Sequence, residues 1–116
     1  MNQAAVIAQN VERAKQIPGL RGLAAWWLTF CIAGPTIALE RIVTALAEEA
    51  GVNLEGAESG FLNAKLRTPA EPEQIVDAVL RVHRLASASG ATLVAVDADS
   101  SADVEVSTCF ALWLPE

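Results

Sequence analysis

Eleven consecutive uncharged residues, Ala24 to Gly34, reading AAWWLTFCIAG, limit the folds open to this chain more than any other stretch. Their middle is aromatic and β-branched, which favours extended backbone. Gly34-Pro35 then stops the run. Taken as a strand, it divides by alternation into two largely apolar sets. Trp26, Leu28, Phe30 and Ile32 point one way; Trp27, Thr29, Cys31 and Ala33 point the other. A strand apolar on both sides belongs inside a sheet, with something over each face.

The same stretch raises the question of a membrane. The 17 residues from Leu23 to Leu39 carry no charge, but a spanning helix needs about 20. Gly34-Pro35 also breaks the run where such a helix would need to be continuous. The segment before it is long and contains Glu12, which does not suit a signal peptide. The expectation is a protein with no membrane association and a cytoplasmic address. Two cysteines, Cys31 and Cys109, are too few for a disulfide scaffold and lie in no CxxC, so they read as buried reduced thiols.

Period-3.6 patterns mark three helices. In residues 3–16, Ala4, Ile7, Val11 and Ala14 form a thin stripe that must dock on its own domain or on a neighbour. After Pro35, set to be a first helical residue, Leu39, Ile42, Val43, Leu46 and Ala50 share a face, and Gly51 offers the stop. The third helix runs to about Ser89 with Ile75, Val79, Val82 and Ala86 inward, and Gly90 ends it. Its start is written twice, as a capping box Thr68-Pro69-Ala70-Glu71 and as Glu71-Pro72-Glu73.

Period-two patterns mark the other strands. FLNAKLRT, from Phe61 to Thr68, alternates well, and Val52–Gly56 is a candidate short edge strand. Ala91–Ala98 and Val104–Leu114 read as an antiparallel hairpin, with Thr92, Val94 and Val96 on its inner side. With 116 residues the chain suits one compact domain, taken as residues 19–116 behind a helical arm at 1–18. The element order predicts an α+β fold: a ferredoxin-like split βαβ sandwich with an extra N-terminal helix and an extra C-terminal antiparallel strand. If Val52–Gly56 is not a strand, the alternative is a βαβαββ mixed sheet.

Function is less legible. With helices over one face, the other would carry Trp27, Thr29, Cys31, Phe61, Lys65, Arg67, Leu93, Ala95, Ser107, Cys109 and Trp113. So apolar a face points to an association surface, unless the N-terminal helix folds across it. The expectation is a small self-associating binding module, a dimer, that takes a small apolar ligand or a protein partner there. The alternative is a small cofactor-free enzyme with its site between sheet and helices. Nucleic acid is set aside: net charge is −6 and GFLNAKLRT holds one aromatic, short of the paired aromatics with which an RRM stacks bases.

No catalytic residue, metal site or cofactor is expected. Asp97-Ala98-Asp99-Ser100-Ser101-Ala102-Asp103 starts like a calcium loop, but Ala102 replaces the glycine and Thr108 the closing glutamate. The acids read instead as a solvated hairpin tip. His83, the single histidine, has no partner at metal-ligand spacing. Gly19-x-x-Gly22 and Gly56-x-x-x-Gly60 lack the residues of a phosphate loop. No stretch carries a family signature.

Overall fold

A computed structural model describes residues 3–47, 52–55, 60–100 and 109–113; for 52–55, 109 and 113 it describes the backbone only. Five strands and three helices follow one another as α1 (Gln3–Ala14), β1 (Ala25–Ala33), α2 (Thr36–Leu46), β2 (Val52–Glu55), β3 (Phe61–Pro69), α3 (Pro72–Ser89), β4 (Thr92–Asp99) and β5 (Cys109–Trp113). The strands form one sheet in the order β2-β3-β1-β4-β5. All four neighbouring pairs are antiparallel, so the mixed-sheet alternative does not hold. The deciding residues are Val52–Glu55, which pair with Leu66–Asn63 as an edge strand beside β3.

The uncharged run is a strand at the centre of that sheet, between β3 and β4. Its exposure alternates residue by residue, with Trp26, Leu28, Phe30 and Ile32 buried. Against them pack Ile7, Val11 and Ala14 of α1, Leu39, Ile42 and Leu46 of α2, and Ile75, Val79 and Val82 of α3, all in one core. Each valine, leucine or isoleucine among them contributes about 1.5–3 kcal/mol relative to an exposed one. The Trp26 indole N–H donates to the Leu20 carbonyl at 3.1 Å, so the one polar atom of that ring is partnered inside the core.

All three helices lie on the same side of the sheet. α1 packs beside α3 and against β5, so it does not fold across the opposite face. Asn10 Nδ2 donates to the Leu112 carbonyl at 2.8 Å. In the β4–β5 ladder Val96 faces Trp113 and Asp97 faces Ala111, which leaves Leu112 as the extra residue of a bulge. The helix thus bonds to the strand at its bulge.

The structure selects one of the two starts read for α3 and moves that of α2 by one residue. Thr68 and Pro69 belong to β3, and the Thr68 hydroxyl donates to the Leu66 carbonyl rather than capping a helix. α3 starts at the second signal, with Glu71 extended and Pro72 first in the helix. Pro35 is extended too, so α2 opens at Thr36. Gly90 closes α3 with φ +89°, a conformation that strains any residue with a Cβ. Gly34 serves a different purpose: a Cβ there would stand 2.9 Å from the Ala91 Cβ, so β1 and the start of β4 approach too closely for a side chain.

Candidate functional site

The side of the sheet away from the helices is built in cross-strand rows. β3, β1 and β4 contribute Arg67, Trp27 and Asp99 to one row, and Lys65, Thr29 and Asp97 to the next. Asn63, Cys31 and Ala95 make a third row, and Phe61, Ala33 and Thr92 a fourth. Trp27, Thr29, Cys31, Phe61, Lys65 and Arg67 therefore share one face. Cys109 stands opposite Asp99 and Trp113 opposite Val96 in the backbone ladder, and their side chains lie outside the described residues.

Leu93 and Val94 exchange the places expected of them. The β1–β4 register shifts between Cys31 and Ile32, and Val94 is the extra residue. After the shift Leu93, Val96 and Ala98 all face the core, while Val94 is 39% exposed. A bulge reverses the alternation of every residue on one side of it, so strict period-two counting assigned Leu93 to the wrong face.

Polar groups occupy the middle of this face. Lys65 is only 4% exposed and Asp99 only 6%, although no described helix lies on their side. Thr29 Oγ1 donates to Asp99 Oδ2, joining β1 to β4 across the sheet. Asp97 and Asp99, two apart on one strand, point to the same side. Burial, and then the charge of Asp99, push the Asp97 carboxyl above its ordinary range. Burial, and then the charge of Asp97, push the Cys31 thiol upward. A thiol held protonated is a poor nucleophile.

Asp97 and Asp99 are not a solvated hairpin tip; they are ladder residues of β4. The alternation of TLVAVDAD could have indicated this, because it continues into the acids. Asp103, Glu105 and Ser107 lie outside the described residues. Among the described residues no group of three or more His, Cys, Asp and Glu side chains could hold a metal ion.

His83 sits half-buried on α3, in the helix layer, with the sheet between it and the outward-facing Cys31. Between sheet and helices the space is filled by side chains of nearly zero exposure. Where β3 outruns β2, a groove of about 390 Å³ opens beside α3, lined by Arg67, Thr68, Gln74, Asp77 and Arg81 among others. No helix among the described residues is long and apolar enough to cross a membrane. No family model, no curated protein and no solved structure matches the chain.

Proposed function

We propose that this chain is a binding module of ferredoxin-like split βαβ architecture, extended by α1 and β5, which associates with a second copy of itself through the helix-free face of its sheet. The strand order β2-β3-β1-β4 supports the architecture, since β3 lies between β1 and β2, and β1 lies between β3 and β4. One observation carries the function: all three helices pack on one side, which leaves Trp27, Cys31, Ala33, Ala95 and Phe61 on a face with no described element over it. Phe61 is 50% exposed. A partner layer would take these apolar side chains out of water.

A small apolar ligand between the two layers, or a different protein, would use the same surface. The enzyme alternative has less support. Its expected location between sheet and helices is filled with apolar side chains, and Cys31 is both remote from His83 and disfavoured as a thiolate. A net charge of −6 favours protein or small-ligand partners over nucleic acid.

Sedimentation equilibrium tests the proposal. The unmodified chain is expected to be a dimer. Phe61→Lys and Trp27→Glu are expected to be monomers with unchanged far-UV circular dichroism. A wild-type chain that stays monomeric at millimolar concentration would remove self-association as its role.

A further inference from the structure

The charges on the helix-free face are sorted by strand. Lys65 and Arg67 stand on β3, Asp97 and Asp99 on β4, and the neutral residues of β1 separate them. Within β3 and β4 the bases and acids stand two against two across β1, and by register Glu55 of β2, opposite Asn63, adds a further acid at the edge.

The sorting selects an orientation. Two sheets packed face to face are related by a two-fold axis lying between them. If that axis runs across the strands, β3 meets the partner's β3 and β4 meets the partner's β4, so like charges confront one another. If it runs along the strands over β1, β3 of each copy lies over β4 of the other. Height along the strand is then preserved. Arg67 comes over the partner's Asp99, and Lys65 over the partner's Asp97, because each pair already shares a row. The aligned packing of two twisted sheets, about 30° apart, displaces these rows by less than the spacing between them.

From this geometry we infer that the chain pairs with a second copy about a two-fold axis along β1, with the basic strand of each protomer on the acidic strand of the other. The inference rests on the self-association proposed above and adds its orientation. The area suffices: five strands about 4.8 Å apart and averaging about 23 Å long cover about 550 Å². Two such faces bury about 1,100 Å², which clears the roughly 1,000 Å² expected of a specific interface. Cys31, on the axial strand, faces its own counterpart across the layer.

Two accessible positions test the axis. Arg67 is exposed and Asp97 half-exposed, so Arg67→Glu and Asp97→Lys leave the core intact. With the axis along β1, each substitution creates two like-charge confrontations per dimer, and each is expected to weaken dimerisation about tenfold. Added salt should weaken the wild-type dimer. With the axis across the strands, midway between the two charged rows, Arg67 meets the partner's Lys65 and Asp97 the partner's Asp99, so both substitutions would tighten the dimer, and salt would tighten the wild type. Either of these results, or no effect from both substitutions, overturns the inferred axis while a dimeric wild type upholds the parent proposal. A monomeric wild type overturns both.

Discussion

Replacing Thr29 with valine isolates one hydrogen bond at the centre of the face. The Thr29 hydroxyl donates to Asp99 Oδ2, and Asp99 is almost wholly buried. Valine keeps the shape and the extended preference of the site but removes the donor. A hydrogen bond to a charged group contributes about 1.5–3 kcal/mol, and a buried acceptor left without its donor bears the desolvation cost. Valine regains a few tenths of a kcal/mol at most through its fit to a strand, leaving a loss of about 2 kcal/mol. For a domain of this size that lowers Tm by about 8 °C. Thr29→Ser keeps the hydroxyl and should lie within about 1 kcal/mol of the wild type. Urea unfolding at low protein concentration is the suitable assay, because any dimer would stabilise the folded state by mass action. In a cycle with Asp99→Asn, the two losses should fall short of additivity by about 1 kcal/mol. If Thr29→Val proves as stable as Thr29→Ser, or if the cycle is additive, the bond is not what holds Asp99 in place.

Two further substitutions test other points of the sheet. Gly34→Ala brings a methyl group to 2.9 Å from the Ala91 Cβ and 3.1 Å from its Cα. Overpacking of this kind costs about 1–3 kcal/mol, against the roughly 0.4–1 kcal/mol that alanine returns by restricting the unfolded chain. A net loss, eased by Ala91→Gly, is expected in thermal unfolding; a Gly34→Ala variant more stable than wild type contradicts the close approach. At Asp97 the sign follows from the raised carboxyl. The folded chain binds that proton more tightly than the unfolded chain. Stability is therefore greatest when the group is protonated and declines as pH rises from about 3.9, the ordinary aspartate value, through the raised folded one. Asp97→Asn should be more stable than wild type at neutral pH, with the gap closing in acid. The same substitution in a Cys109→Ser background should hasten alkylation of Cys31, whose thiol the Asp97 charge holds up. Equal urea midpoints at every pH, with unchanged alkylation, would show that Asp97 does not feel its neighbours.

Much of this arrangement is local and therefore readable from order alone. Helical stripes such as Ile75, Val79, Val82 and Ala86 bury as their spacing requires. Trp27, Thr29, Cys31, Phe61, Lys65 and Arg67 fall on one face because two strands free of bulges keep strict alternation. Val94 and Leu93 escaped the same reasoning because the register shift arises from pairing with β1. Asp97 and Asp99 resembled a turn because aspartate usually favours turns, and only the ladder to β1 keeps them extended. The two signals for the start of α3 also compete on equal terms in the sequence. The length of β3 settles them, since Ala25 pairs with Pro69 and so holds Thr68 in the sheet.

By itself, the sequence determined which segments coil, which extend, and that one apolar strand lies in the interior. These are matters of residue type and spacing within a few positions. Tertiary structure decided that α1 joins the other helices instead of covering the opposite face, that a bulge reverses part of β4, and that acids and bases sort onto separate strands. Each of these depends on which distant segments pair, and side-chain periodicity along one element contains no information about its neighbour.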